Sequence, residues 1–216
     1  MVQVIGLGAG GHAKVVIEIL RLNNEFSVVG LLDERGDKAG VEVAGIPILG
    51  NDSMLPELLA RGIHHAFIGV GTVGQGNRRP QLYDTLQAFG FNLVSAVHPN
   101  AIISASAQIG VGPTIMAGVV INAGARIGDN VIVNTGAIVD HDCLIGDHSH
   151  IATGACLSGV VRVGEGTHIG AGAVVRQEIS IGKNSVVGAG AVVVDDVPDN
   201  VVVVGVPAKV YKGTLV

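Results

Sequence analysis

The chain has 216 residues, 48% of them apolar, with 33 glycines, no tryptophan and 3% aromatics, which suffices for two modest domains whose cores are built from Ile, Val and Ala. A formal charge of −5, with only 13 Lys and Arg, excludes a nucleic-acid or anionic-membrane surface, since both need a concentrated basic patch. The opening residues MVQVIGLGAGG carry no basic leader, and no stretch reaches the roughly 18 apolar residues of a membrane span. Two cysteines, Cys143 and Cys156, suit a reducing compartment better than a disulfide framework, so the expected location is the cytoplasm.

Residues 1–97 read as an α/β domain. An apolar run at 2–5 predicts a strand, 14–22 a helix, and 28–32 a second strand that ends at Asp33. Further apolar runs at 66–70 and 93–97 alternate with helical pattern at 52–60 and 80–89, which predicts a half-Rossmann-like parallel sheet. The first connection reads Gly6-Leu7-Gly8-Ala9-Gly10-Gly11, with Asp33 lying 22 residues beyond the last glycine. Bare N–H groups at a helix N-terminus suit a phosphate, and an acid at the tip of the second strand suits a ribose hydroxyl. His12 and Lys14 stand where a dinucleotide fold keeps small apolar residues, and fewer than 100 residues hold one mononucleotide half. A nucleoside diphosphate is therefore favoured over NAD, with a loop that merely turns the chain as the bland alternative. Lys14 reads equally as a diphosphate counter-ion or a solvated first-turn lysine.

From 101 to 196 the chain repeats every six residues. The third position of the sixteen hexads reads Ile103, Ile109, Ile115, Ile121, Ile127, Val133, Val139, Ile145, Ile151, Leu157, Val163, Ile169, Val175, Ile181, Val187 and Val193. The first position is mostly small, as at Ala125, Ala137, Ala155 and Ala173. A six-residue period fits neither an α-helix nor a hairpin sheet; a parallel β-helix satisfies it, each hexad giving one strand and one corner and three hexads one coil. Glycines recur every 18 residues at Gly110, Gly128, Gly146, Gly164 and Gly182, with a second column at Gly170 and Gly188; they are expected to supply positive φ at sharp corners. The third column, Ser104, Asn122, Asp140, Ser158, Arg176 and Val194, is mostly polar, and a site is expected on that edge.

Four motifs then add a resemblance. They are G-x-G-x-x-G-H-x-K over residues 6–14, Val97-His98-Pro99, Asn134-Thr135 followed by Val139-Asp140-His141-Asp142, and the ending Val203-Val204-Gly205-Val206-Pro207-Ala208-Lys209. Together they resemble the bacterial nucleotide-sugar N-acetyltransferases that acetylate a 4-amino-4,6-dideoxyhexose, and the related sialic acid O-acetyltransferases. The resemblance covers essentially the whole chain. It implies a left-handed parallel β-helix over 98–216 behind a nucleotide-sugar domain over 1–97, a homotrimer, acetyl-CoA as co-substrate and no metal. It assigns His141 as general base with Asp142 orienting it, His150, Ala171 and Ala189 to acetyl-CoA, and Gly11, His12, Ala13, Lys14, Asp33, Glu34, Gly71 and Asn134 to the nucleotide sugar. Asp142 stands where relatives carry Glu as well, so its reach to His141 is shorter.

The chemistry of the residues agrees with these roles. Acetyl transfer from a thioester to an amine needs a base near neutral pH, and imidazole serves. His150 and His168, 18 residues apart, are expected to stack on successive coils near His148; three imidazoles of this kind also suit zinc, the weaker reading. Cys143 falls in an interior phase and no thiol nucleophile is expected. The expected reaction is N-acetylation of the C4 amine, with GDP-perosamine favoured among GDP, UDP and dTDP sugars. Sialic acid O-acetylation and a non-catalytic nucleotide-sugar-binding trimer are the alternatives.

Overall fold

The computed structural model describes residues 1–34, 39–72 and 78–212. They divide into two units, 1–71 with 78–99, and Thr72 with 100–212.

In the first unit, short aliphatic runs pair as strands and the helices between them bury one face each. Its order is β1 (Val2–Leu7), α1 (Gly11–Asn23), β2 (Phe26–Leu32), β3 (Glu42–Val43), β4 (Ile46–Gly50), a 3-10 turn (Asp52–Met54), α2 (Leu55–Ala60), β5 (His65–Ile68), α3 (Arg78–Phe89), β6 (Asn92–Leu93) and β7 (Ala96–Val97). The sheet runs β3-β4-β2-β1-β5-β6, and its pairs are parallel except the edge ribbon β3/β4. That ribbon escapes the sequence reading because its two-residue turn is Ala44-Gly45, both at positive φ (50° and 72°), where Asn-Gly or Asp-Gly would be the usual signal. The core gathers Ile5, Leu7, Leu32, Leu55, Leu58, Ala66, Ile68, Leu82 and Leu86. The helix expected over 52–60 is interrupted. Asn51 accepts a hydrogen bond from Ser53 N and Pro56 opens α2, so a 3-10 turn precedes the α-helix.

In the second unit, sixteen two-residue strands run from Ile102–Ile103 to Val192–Val193. Each pairs in parallel one coil away, as Val120↔Ile138, Ile132↔His150 and Leu144↔Arg162 do. The second residue of each strand points inward, and most of these, Ile151, Leu157, Ile169 and Val175 among them, are wholly buried. The first points outward, giving three distinct walls. One carries Gln108, Arg126, Leu144, Arg162 and Ser180; a second carries Thr114, Ile132, His150, His168 and Val186; the third is entirely apolar, with Ile102, Val120, Ile138, Cys156, Val174 and Val192. Val202–Val204 extends the second wall and pairs antiparallel with Lys209–Lys212.

The glycine columns work differently from expectation. Gly146, Gly164 and Gly170 do not adopt positive φ; they admit the backbone of the next coil, for a Cβ on each would sit 2.6 Å from Glu165 N, Lys183 N and Ala189 N respectively. Positive φ falls two residues later. One corner meets it with glycine throughout, at Gly118, Gly136, Gly154, Gly172 and Gly190, whereas the corner after the apolar wall uses Gly124, Asp142, Val160 and Glu178. A β-branched residue such as Val160, at φ 64°, is strained there, at a cost of about 1–3 kcal/mol.

Candidate functional site

The loop between β1 and α1 is shaped for close backbone approach. Gly8 has φ +102° and a Cβ on it would lie 2.5 Å from Val70 Cγ2. Gly10 caps α1 without any side-chain hydrogen bond, and a helix N-terminus of this kind suits an anion. A cavity of about 300 Å³ opens on this loop, lined by Gly8, Ala9, Gly10, Gly11, His12, Asp33, Glu34, Asp52, Gly69, Val70, Gly71, Arg78 and Leu82.

Five predicted nucleotide-sugar residues, Gly11, His12, Asp33, Glu34 and Gly71, are thus brought together. Ala13 is not among the lining residues: it is fully buried beneath Gly69. Lys14 is exposed and also outside the lining, which favours the solvated reading of that residue. Two charged lining residues were missed. Arg78 Nη2 donates to Asp52 Oδ2 at 2.6 Å, and Arg78 Nε lies 3.8 Å from Glu34 Oε2. No motif marks them, because they lie 18 and 44 residues from Glu34 along the chain and only the sheet order brings them to it.

His141 and Asp142 occupy the corner after the apolar wall. Backbone bonds fix both: Asp142 N donates to Ala123 O and Val160 N to His141 O, each at 2.9 Å. The His141 ring is half exposed and its Nδ1 lies 3.0 Å from Asp142 Oδ2, so the shorter aspartate reaches. A carboxylate can only accept, which puts the proton on Nδ1 and the lone pair of the neutral ring on Nε2. The bond to Asp142 pushes the His141 pKa above the usual imidazole value, against an opposing effect of burial and with lesser help from the charges of Asp140 and Asp142. Asp140 accepts from His141 N at 2.7 Å and Asn122 Nδ2 at 2.8 Å, and these bonds hold its own pKa below the usual carboxylate range. The ring rests on Gly159, where a Cβ would lie 2.4 Å from His141 Nε2; sequence reasoning missed this glycine because it falls outside the 18-residue columns.

Asn134 and His150 also meet. His150 Nδ1 lies 2.9 Å from Thr72 O, a carbonyl that only accepts, so Nδ1 carries the proton and Nε2 accepts from Asn134 Nδ2 at 3.2 Å. Asn134 Oδ1 in turn accepts from Thr135 N at 2.8 Å. His150 and His168 are neighbours as expected, but edge to face, with centroids 4.8 Å apart. His148 sits on a different corner beside Asn130, 3.0 Å away, and among the described residues no group of three or more His, Cys, Asp or Glu is placed to hold a metal ion. Cys143 is buried, and burial pushes its thiol pKa up to about 11, which disarms it as a nucleophile. Ala171 and Ala189 share the all-glycine corner with Asn134. Within one chain, then, the predicted acetyl-CoA residues and His141 lie on two different edges of the β-helix.

Residues 3–86 match the PglD N-terminal domain family, and 124–159 and 160–195 match the bacterial transferase hexapeptide (six repeats) family. The crystal structure of PerB from Caulobacter crescentus, in complex with CoA and GDP-perosamine, is 44% identical over 97% of both chains with a TM-score of 0.90. The chain belongs to the hexapeptide-repeat acyltransferases with a PglD N-terminal domain. The acetyltransferase domain of PglB from Neisseria gonorrhoeae is 41% identical, covering 96% of this chain and 98% of that one, with a TM-score of 0.88. UDP-N-acetylbacillosamine N-acetyltransferase of Bacillus subtilis is 37% identical over 122 residues, 54% of this chain and 52% of that relative's length.

Two outcomes follow for the acyltransferase. Gly159→Ala has no backbone penalty but puts a methyl into the His141 ring; kcat is expected to fall about 100-fold, as for a misplacement of order 1 Å, with thermal stability kept, and steady-state kinetics beside a melting curve check it. Asp142→Asn removes the main cause of the raised His141 pKa. With His141 in the base role that the resemblance assigns to it, activity grows as the ring loses its proton, so the acidic limb of kcat/KM is expected to move to lower pH; an unmoved limb would separate Asp142 from the titration.

Proposed function

We propose that this enzyme transfers an acetyl group from acetyl-CoA to the C4 amine of a nucleotide-linked 4-amino-4,6-dideoxyhexose, with GDP-perosamine as the favoured acceptor. The observation that carries the reading is the His141–Asp142 pair: an exposed imidazole, its tautomer set by a carboxylate, on a chain whose other unit carries a glycine-loop cavity. The likeness to PerB, solved with CoA and GDP-perosamine, supports the choice of sugar nucleotide. So do its H141N and H141A variants, which were solved with CoA and GDP-perosamine bound.

The amine nitrogen attacks the thioester carbonyl, and His141 Nε2 takes the proton as the C–N bond forms. Asp142, through Nδ1, stabilises the imidazolium. The tetrahedral intermediate then expels the CoA sulfur, which recovers the proton from Nε2, so the ring ends as it began. Gly11, His12, Asp33, Glu34 and Gly71 hold the nucleotide, Asn134 the sugar, and His150 with the Ala171 and Ala189 N–H groups the coenzyme. No covalent enzyme intermediate is required. Among the described residues no helix is long and apolar enough to cross a membrane, and we place the reaction in the cytoplasm.

A homotrimer completes the site. The apolar wall lies between the edge that carries His141 and the edge that carries Asn134, Ala171 and Ala189, and it exposes Ile102, Ile138 and Val174 by 67%, 39% and 41%. Three copies packed by this wall about one axis hide it and set the His141 edge of each copy against the other edge of its neighbour.

Incubation with acetyl-CoA and GDP-, UDP- and dTDP-linked 4-amino-4,6-dideoxyhexoses, or sialic acid, is expected to release free thiol fastest with GDP-perosamine. His141→Ala is expected to lower kcat by about 10² to 10⁴ with both ligands still bound; turnover of sialic acid alone, or of nothing, would replace this reading by O-acetylation or by a binding protein. A charge in the apolar wall, Val174→Asp, is expected to leave monomers in sedimentation and to abolish activity without touching the His141 corner.

A further inference from the structure

Arg79, the second residue of α3, is only 1% exposed and is the bulkiest of the fully buried side chains. Taking a guanidinium out of water disfavours its charge, and burial pushes its pKa down to about 9, still cationic at neutral pH. Its Nη1 donates to Ile68 O at 3.0 Å and Val70 O at 2.9 Å. Those carbonyls flank Gly69, which is pressed against the glycine loop: Gly69 N donates to Leu7 O at 2.7 Å, and a Cβ on Gly69 would lie 2.6 Å from Gly8 O and 2.8 Å from Ala13 Cβ. The same Nη1 lies 3.5 Å from His12 Nε2. Both Nη1 hydrogens go to the two carbonyls, so the guanidinium acts on His12 by its charge: a cation this close disfavours a proton on Nε2 and leaves the ring's proton on Nδ1. Nδ1 lies on the Gly71 side of the ring, 3.8 Å from where a Gly71 Cβ would stand. Gly8, Gly11, His12, Gly69, Val70 and Gly71 line the cavity and Arg79 does not; it stands behind them.

We propose that Arg79 is a positioning residue of the nucleotide site, a buried cation that braces the Ile68 and Val70 carbonyls and sets the His12 tautomer so that the loop N–H groups and His12 Nδ1–H converge on a diphosphate. Its charge adds to the positive end of α1 behind a dianion, in a setting where water screens little. The proposal rests on the nucleotide reading of this cavity.

Isothermal titration of the full enzyme with guanosine, GMP and GDP tests it. For Arg79→Met, GDP affinity is expected to fall about 10- to 100-fold, the range of a lost charge-assisted contact, while guanosine affinity and the KM for acetyl-CoA change less than about 3-fold. Arg79→Lys, which keeps a cation but not the fork, is expected to lose about 3- to 10-fold on GDP alone, and it decides the matter where the methionine variant does not fold. Nitrogen chemical shifts of wild-type His12 are expected to report the neutral Nδ1–H tautomer. An equal loss on guanosine and GDP, unchanged GDP affinity in both variants, or the opposite tautomer overturns the role of Arg79 with the site intact. A wild-type enzyme that binds GDP no better than guanosine removes the diphosphate from the cavity, and the role of Arg79 with it.

Discussion

Each strand of the β-helix spends its backbone hydrogen bonds on the strands one coil away, 18 residues along the chain, as in Ile138↔Cys156 or His150↔His168. That ladder dictates nearly everything else in the second unit. With two residues per strand, one side chain must point in and one out, and the interior of a coil this narrow accepts only Ile, Val, Leu and small partners such as Ala137 and Ala155. Reactive groups are left with the outward walls and the corners. His141 takes a corner and His150 a wall, and a slip of one residue would turn His150 into the coil interior.

The corners carry the cost of the tight winding. Where glycine fills the left-handed position, as at Gly136, Gly154 and Gly172, the corner is unstrained; where Asp142, Val160 and Glu178 fill it, strain accumulates beside His141. Strain and the His141–Asp142 pair coincide here for a readable reason. Asp142 must have a side chain to reach Nδ1, and Val160 N must hold the His141 carbonyl. A glycine at 142 would relax the backbone and lose the acceptor. The absent side chain lies instead one coil on, at Gly159, where the imidazole needs a flat surface.

The two units solve opposite electrostatic problems. At the His141 corner, a solvent-exposed base has its proton affinity raised by a neighbouring carboxylate. Beneath the glycine loop, a cation is stripped of water and held by carbonyls. The first arrangement suits a proton that must come and go; the second suits a fixed charge facing a permanent anion.

The amino-acid sequence by itself determined the period, the inward column and the existence of a glycine loop before a helix, because each is a local pattern that one strand or one turn enforces. It named His141 and Asp142, but that the shorter aspartate reaches the ring was decided by the backbone of the corner. It did not determine what the glycine columns are for: Gly146 and Gly164 leave room for another coil's backbone, a contact 18 residues away. Nor did it mark Arg78 and Asp52, which reach the cavity from α3 and from the turn before α2, or Arg79, which stands behind the lining; the sheet order β2-β1-β5 brings them there. Ala13 and Lys14 look like loop residues in a line of text, but the 3.6-residue turn of α1 points one into the core and the other to solvent. Only the tertiary structure decided that His141 and Asn134 stand on separate edges with an apolar wall between them, because a side chain's edge is set by the folding of the whole coil and not by the seven residues that separate the two in sequence.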